Sequence, residues 1–397
     1  YYQEQLKINH YIDFEDMINE AYYKLDNTKL NYKYVIIDEY QDISMQRFNL
    51  TKKIGEVSDS KIIAVGDDFQ SIFAFAGSDI SLFTEFKDLM GYAELLQITH
   101  TYRNSQQLID VAGKFVMTNN KQIKKKLVSP KRLKNPVMVI AYDDSSNKLK
   151  NKISMLNKCL KDIQNKFGDK QKILLIGRYN FEKYYLINSE DFYEISSDKI
   201  KSKKYPNFEI DFLSAHSSKG LGYDQVIILN GDDGTYGFPS QIKDDPIMKI
   251  INVEDKSFIF AEERRLFYVA LTRTKNKVYI LTPVNKPSDF ILEIIKYDNV
   301  SLYNKTGIKL SKKPHICPKC GYPLIRKYNS FKIRNLYVCS NDKELCSFKT
   351  NNLKYKKEIK KCPKCDGELI VKHSNKKNYD FIGCTNYHKG CNYTENI

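Results

Sequence analysis

Short apolar runs that end in polar residues recur along the first 300 residues of the chain. Two early ones are YKYVIID (32–38) and KIIAVGD (61–67), and others lie at residues 137–142, 172–178, 210–216, 224–230 and 277–283. Such runs are typical of parallel strands that are buried on both faces. Segments with helical spacing lie between them, at residues 14–25, after Arg103, and at 262–274. This alternation predicts an α/β fold with open parallel sheets, which bind ligands at the carboxyl ends of their strands.

The run VIIDEYQDIS (35–44) ends in two adjacent carboxylates, Asp38 and Glu39. This arrangement is typical of a site for a magnesium–nucleotide complex, in which one carboxylate binds Mg²⁺ and the other activates water. Taken alone, it is equally typical of a capped turn. A nucleotide site also needs a phosphate-binding loop, yet G-x-x-x-x-G-K-[ST] occurs nowhere in the 397 residues.

The last hundred residues have a different character. Eight of the nine cysteines lie there in two copies of C-x2-C-x18-C-x6-C, displaced from each other by 45 residues. The predicted zinc ligands are Cys317, Cys320, Cys339 and Cys346 in the first copy and Cys362, Cys365, Cys384 and Cys391 in the second. Four thiolates at this spacing suit tetrahedral zinc, so two bound Zn²⁺ ions are expected. A disulfide framework is the alternative, but no secretory signal is visible, and we expect a cytoplasmic protein.

Positive charge is concentrated in the same tail. Residues 301–397 contain 21 basic and 7 acidic residues, whereas the first 300 residues are nearly balanced. A basic tail favours a polyanionic partner, with nucleic acid before a membrane surface, although a merely solvated charge run is the alternative. Aromatic residues between the cysteines suit stacking on single-stranded bases, and the alternative is that they fill the small cores of the ribbons; we expect some of each.

Five segments of the body resemble, in the correct order, motifs II to VI of the UvrD/Rep type of superfamily 1 DNA helicases, and most of all helicase IV. They are DEYQD (38–42), VGDDFQSIFAFAGSD (65–79), LLQITHTYRNS (95–105), LSAHSSKGLGYDQVIIL (213–229) and EERRLFYVALTRTKNKVYIL (262–281). The tail resembles the four-cysteine zinc ribbons of bacterial type I topoisomerases. The resemblance implies an ATP-dependent DNA helicase that usually moves 3′ to 5′ on single-stranded DNA and unwinds duplex junctions.

The resemblance also assigns roles by position. Catalysis would fall to Asp38, which binds Mg²⁺, to Glu39 as general base, to Gln70, which senses the γ-phosphate, and to the phosphate-binding Arg103 and Arg273. The nucleotide would further contact Tyr102, Gly220 and Arg265. DNA would contact Phe73, Phe75, His216 and Lys219. The implied cofactors are ATP, Mg²⁺ and two Zn²⁺ ions, and the implied partner is DNA, with no membrane.

The implied architecture is two RecA-like domains of the P-loop NTPase class. The expected boundaries are 1–98 for the end of an incomplete first domain, 99–300 for the second, 301–314 for a linker, and 315–350 and 360–397 for the two ribbons. Because the phosphate loop of this family precedes DEYQD, we expect the chain to be the C-terminal part of a longer helicase. Alone, it should hydrolyse ATP poorly.

The chain departs from the family pattern at two further positions. Gly222 stands where the family often has a glutamate that contacts the ribose, and Ala76 stands where it often has an arginine. A non-catalytic nucleic-acid-binding protein, with a degenerate helicase body that carries zinc ribbons, is the alternative function, but the intact Asp38, Glu39, Gln70, Arg103 and Arg273 argue against it. A topoisomerase fragment is a weaker alternative, since the body is explained otherwise.

Overall fold

The computed structural model of the chain describes residues 1–145, 147–242, 258, 260–307, 310, 317–319, 324–329, 334–339, 346–350, 361–365, 367, 369–374 and 379–396. The chain divides into two compact units, residues 1–312 and 313–397. The first unit contains the apolar runs at 32–38 and 61–67, each of which ends in a carboxylate, and all five motif segments. The second contains the cysteine repeats.

The first unit begins with a small parallel sheet. Strands β1 (Tyr34–Ile37) and β2 (Lys61–Ala64) pair in parallel, with Tyr34 opposite Lys61. Helices Phe14–Lys24 and Met45–Ser58 accompany them, and each starts at a side-chain cap, Asp13 and Ser44 respectively. Such caps satisfy backbone N–H groups that have no partner within the helix. Both predicted strands, and the predicted helix at 14–25, are confirmed.

The larger sheet has eight strands: β3 (Val137–Tyr142), β4 (Lys172–Gly177), β5 (Phe192–Glu194), β6 (Lys199–Ser202), β7 (Glu209–Ser214), β8 (Tyr223–Ile228), β9 (Thr274–Pro283) and β10 (Val300–Asn304). Their order in the sheet is β10-β3-β9-β8-β4-β7-β6-β5. All neighbours are parallel except the pairs β5–β6 and β6–β7. The prediction of a purely parallel sheet is therefore wrong at this edge. The two short strands form a hairpin-like extension whose mixed sequence contains no apolar run.

Both faces of this sheet are buried, as the continuous apolar runs predict. Leu174 and Ile176 point into the core on one side, together with helices Gln106–Val116 and Ala261–Thr272. Ile173 and Leu175 point into the core on the other side, where helix Lys148–Phe167 packs. The sheet thus holds the loops at its carboxyl edge on a rigid base.

Shorter helices complete the first unit: Tyr2–Ile8, Ser81–Thr84, Phe86–Met90, Lys183–Ile187 and Asp289–Ile294. Within the part of the chain that the structure describes, no helix combines the length and apolarity needed to cross a membrane.

The start of the predicted linker at 301–314 lies in the sheet. Residues 301–304 belong to β10, which pairs in parallel with β3, and Tyr303 lies under the ammonium group of Lys158 at 4.2 Å. An edge strand needs few apolar residues because one side has no neighbour, so its composition resembles that of a linker. Residue 312, where the first unit ends, still lies within the predicted linker.

The second unit contains two antiparallel three-stranded sheets. The first consists of β11 (Leu324–Asn329), β12 (Arg334–Cys339) and β13 (Lys349–Thr350), and the second of β14 (Leu369–Ser374), β15 (Tyr379–Cys384) and β16 (Thr394–Asn396). Each strand of the second sheet begins 45 residues after its counterpart in the first. The repeat seen in the cysteine spacing therefore extends to the backbone.

Candidate functional site

The loops that follow β1 and β2 are joined by a buried glutamine. The amide nitrogen of Gln41 donates to the Glu39 carboxylate at 2.5 Å, and its oxygen accepts from the backbone N–H of Asp67 at 2.8 Å. A Cβ atom at Gly66 would lie 2.5 Å from that amide oxygen, so this position needs glycine. Asp38 and Glu39 themselves are exposed at the end of β1. Two exposed carboxylates, which offer oxygen ligands, suit Mg²⁺.

Gln70 connects this edge to the larger sheet. Its amide nitrogen donates to the Asp67 carboxylate at 2.8 Å, and its amide oxygen accepts from the Arg273 guanidinium at 3.2 Å. Arg273 is only 2 % exposed, and burial lowers the pKa of its guanidinium to about 10, with the nearby charge of Arg103 as the next cause. The guanidinium of Arg273 therefore remains positively charged at neutral pH. It contacts Gln70, the residue that the resemblance assigns to sensing the γ-phosphate.

Lys219 also connects the larger sheet to the loops of the smaller sheet. Its ammonium group pairs with the Asp42 carboxylate, lies 3.3 Å from the Glu39 carboxylate, and donates to the backbone carbonyl of Gln70 at 3.0 Å. The next residue, Gly220, has a φ of 80°, a left-handed conformation that glycine adopts at low cost. Burial raises the pKa of Asp42, and the bonded lysine opposes that shift.

Tyr102 and Arg103 lie exposed on the loop before helix Gln106–Val116, and Tyr102 is 76 % exposed. A Cβ atom at Gly222 would lie 3.6 Å from the Arg103 guanidinium. The position at which the family often has glutamate is therefore adjacent to the predicted phosphate-binding arginine. Both exposed side chains are accessible to a nucleotide.

Arg265, which the resemblance assigns to the nucleotide, lies on helix Ala261–Thr272 and contacts the residue after Gln70. It is buried, and its Nε donates to the backbone carbonyl of Ser71 at 2.5 Å. This bond ties helix Ala261–Thr272 to the segment that carries Gln70.

The three predicted DNA-binding rings form one group. The His216 ring lies 5.4 Å from the Phe75 ring and 6.2 Å from the Phe73 ring, and the Lys219 ammonium lies 5.2 Å from the Phe73 ring. Burial lowers the pKa of His216 to about 4, and the charge of Arg178 adds to the effect. The imidazole is therefore neutral at physiological pH. Phe75 remains 53 % exposed, so its face is open to a base.

Sequence reasoning did not find Gln41, Asp42 or Asp67, which hold the predicted residues in place. The first two lie inside DEYQD, and Asp67 lies three residues before Gln70. Their place inside or beside the motif residues of the sequence is the feature that could have indicated their role.

The cysteines of the second unit gather as predicted. The sulfur atoms of Cys362, Cys365, Cys384 and Cys391 lie within 4.8 Å of one another, and so do those of Cys317, Cys339 and Cys346. Cys320 lies outside the described residues. Neighbouring sulfur atoms in these clusters lie 3.4 to 3.7 Å apart, near the ~3.8 Å edge of a zinc tetrahedron with Zn–S bonds of about 2.3 Å and far from a covalent disulfide.

Backbone N–H groups support the sulfur atoms of the second cluster. Gly367 donates to Cys365 and Asn386 donates to Cys384, each at 3.4 Å. A Cβ atom at Gly367 would lie 2.8 Å from the Cys384 sulfur, which explains the glycine after CPKC. The donor set and its geometry fit Zn²⁺.

Comparison with protein families agrees with these observations. Residues 1–91 match the UvrD/REP helicase N-terminal domain. Residues 315–342 and 359–397 match the topoisomerase DNA binding C4 zinc finger. Both resemblances predicted from the motifs are thereby confirmed.

Curated relatives cover most of this chain. It is 31% identical over 303 residues to DNA helicase IV of Escherichia coli (strain K12). The aligned region covers 76% of this chain and 41% of that protein. It is 24% identical over 335 residues to a probable DNA helicase of Mycoplasma pneumoniae, covering 79% and 58% respectively. It is 26% identical over 336 residues to the ATP-dependent DNA helicase Rep of Buchnera aphidicola subsp. Schizaphis graminum, covering 78% and 47%. The chain thus spans less than three fifths of the length of these relatives.

Proposed function

We propose that this chain is the part of an ATP-dependent DNA helicase that contains most of its hydrolysis and translocation groups. The observation that carries the proposal is the contact between Arg273 and Gln70 at 3.2 Å. Arg273 belongs to the last of the five motifs (262–281), next to the larger sheet. Gln70 belongs to the second motif (65–79), next to the smaller sheet. A nucleotide bound at this junction would meet groups from both sheets at once.

The resemblance assigns each side chain a part in the chemistry, and the contacts described above support these assignments. Glu39 is the general base for the attacking water, and Asp38 is the ligand for Mg²⁺, which neutralises phosphate charge when bound. Gln70 contacts the γ-phosphate, and Arg103 and Arg273 stabilise the negative charge that develops during transfer. Tyr102 stacks on adenine. Lys219 links the general base to the DNA-contacting rings, so hydrolysis and the grip on DNA change together.

Both sheets are, in this proposal, parts of RecA-like domains with ATP between them. Phe73, Phe75 and His216 contact the tracking single strand, and the two zinc ribbons add a second DNA contact. Movement runs 3′ to 5′. The sequence lacks G-x-x-x-x-G-K-[ST], so efficient hydrolysis requires a phosphate-binding loop from additional polypeptide.

The test is the Glu39→Gln variant of the complete protein that the gene encodes. Loss of a general base should lower DNA-stimulated ATP turnover by about 10²- to 10⁴-fold while DNA binding stays unchanged. Glu94→Gln, at another exposed position of the same region, is the matched control and should have no effect. If Glu39→Gln leaves turnover at the wild-type level, Glu39 is not the general base and the proposed site is wrong. If the wild type shows no turnover, the protein is instead a nucleic-acid-binding module.

A further inference from the structure

A second group of aromatic side chains lies on the larger sheet, outside all the predicted motifs. The rings of Tyr179 and Phe181 stack at 5.7 Å with an interplanar angle of 13°. Tyr236 meets both rings edge-on, at 5.5 Å from Tyr179 and 5.0 Å from Phe181. We refer to these three residues as the aromatic platform. Phe181 is 36 % and Tyr236 is 49 % exposed, so the platform presents ring faces and edges to solvent.

A buried polar network fixes the platform in place. The Glu182 carboxylate, 4 % exposed, accepts from the backbone N–H of Tyr179 at 2.9 Å and from the Asn230 amide. The same amide nitrogen of Asn230 donates to the backbone carbonyl of Tyr236 at 3.1 Å. The Tyr179 hydroxyl bonds to the Ser240 hydroxyl at 2.7 Å. Two loops distant in sequence are thus held together, and the rings are preorganised rather than collapsed into a core.

The platform continues the group of rings at the proposed DNA site. The Arg178 guanidinium, held by an ion pair with Glu263 at 2.5 Å, lies 4.7 Å from the centre of the Tyr179 ring. The backbone N–H of Ala215, the residue before His216, donates to the carbonyl of Gly177, the residue before Arg178, at 3.0 Å, and the His216 ring lies 5.4 Å from Phe75. His216 and Tyr179 therefore follow neighbouring strands at one edge of the sheet, with Phe75 against His216. A row of rings suits a single strand whose successive bases stack on aromatic side chains.

We propose that the aromatic platform stacks on bases of single-stranded DNA and extends the track that begins at Phe73 and Phe75. This inference rests on the proposed function. Continuity with the proposed track favours a nucleic-acid strand as occupant over a protein surface. Stacking on ring faces tolerates any base, so the extension adds length and grip without sequence preference.

The test is a double variant, Phe181→Leu with Tyr236→Leu, which keeps apolar area and removes two π-faces. Affinity is measured for oligothymidylates from about 4 to about 16 nucleotides, the range of single-strand site sizes. We expect at least about fivefold weaker binding of the long oligonucleotides and no change for the shortest. Tyr193→Leu, at a 46 % exposed tyrosine of β5 in the same sheet, is the matched control and should bind like the wild type.

Phe75→Leu separates the two proposals. If it weakens binding at every length while the double variant binds like the wild type, the platform is not a DNA site and the proposed function stands. If neither variant weakens binding, the proposed track at Phe73 and Phe75 and its extension both fail, whereas loss of ATP turnover in Glu39→Gln would still support the proposed function. Unfolding midpoints check that the variants fold. Photocrosslinking of bromodeoxyuridine oligonucleotides to the wild type is an independent measurement. Adducts in the peptides of Phe181 or Tyr236 support the platform, and adducts confined to Phe73, Phe75 and the tail overturn it.

Discussion

The ammonium group of Lys219 lies 3.3 Å from the carboxylate of Glu39, across 180 positions of sequence. The loop after β7 thereby reaches the loop after β1. Lys219 also bonds to Asp42 and to the carbonyl of Gln70, so one side chain touches three groups of the other sheet.

Lys219→Met should damage both stability and coupling. The change leaves the partly buried Asp42 without its cation, which costs about 1–3 kcal/mol of unfolding free energy. Urea unfolding measures the first effect, and the ratio of ATP turnover with and without single-stranded DNA measures the second. We expect DNA stimulation to fall at least about tenfold. Lys29→Met, at an exposed position, is the control. Wild-type stimulation in Lys219→Met would contradict the coupling role.

Arg273→Lys should abolish most ATP turnover. The guanidinium of Arg273 donates to the amide oxygen of Gln70 at 3.2 Å and to the backbone carbonyl of Val269 at 3.0 Å. A lysine cannot make both bonds in one plane. Loss of a positioned cation in a buried site should cost about 10²- to 10³-fold in turnover. Steady-state kinetics test this, with the nearby exposed Lys275→Arg as the control. Turnover within about threefold of the wild type would place Arg273 outside the reaction.

Stability should fall in mild acid because of His216. Its pKa is about 4 in the folded protein, against an ordinary value of 6.5 for the unfolded chain, so the unfolded chain binds more protons between these values. The stabilisation is complete above pH ~6.5 and is lost as the pH falls toward ~4, by no more than about 3 kcal/mol. Unfolding midpoints at several pH values measure the loss. His216→Phe should reduce this acid sensitivity, and the exposed His10→Phe should not. Equal acid sensitivity in all three proteins would contradict the assignment.

Cys384→Ser should remove one of two zinc ions. The variant lacks one thiolate of the second cluster, and the free energy of zinc binding is largely free energy of folding in such small modules. Metal analysis should give two zinc ions per chain for the wild type and one for the variant, with loss of amide protection in β14 and β15. Cys159→Ala removes the only cysteine outside the tail and should keep both ions. Two ions in Cys384→Ser would exclude this thiolate as a ligand.

The long apolar runs and the repeated cysteines could be predicted because each follows a local rule. Strands such as β4 are buried on both faces, so nearly every residue in them is apolar. The edge strands β5 and β10 and the short strand β6 beside β5 satisfy fewer packing constraints, and their sequences resemble loops. The helix at Lys148–Phe167 was not predicted, although Ile153, Leu156, Leu160 and Ile163 recur at helical spacing on its buried face.

The site could be predicted where residues belong to a motif and not where they act through tertiary contacts. Gln41 bridges two loops, and nothing in its neighbourhood along the chain indicates that partner. The aromatic platform is even harder to predict from the sequence, since Tyr236 lies 55 positions beyond Phe181. These two residues meet because the strands that precede them, β4 and β8, are neighbours in the folded sheet.

Both edges of the eight-stranded sheet are short. At one end β5 has three residues, and at the other β10 has five. A long, flat edge offers unpaired N–H and C=O groups to another chain and invites aggregation. Here a three-residue strand ends the ladder on one side, and on the other the charged end of Lys158 lies over Tyr303 of the last strand. The same short strands that escape sequence analysis therefore protect this unit from edge-to-edge association at high concentration.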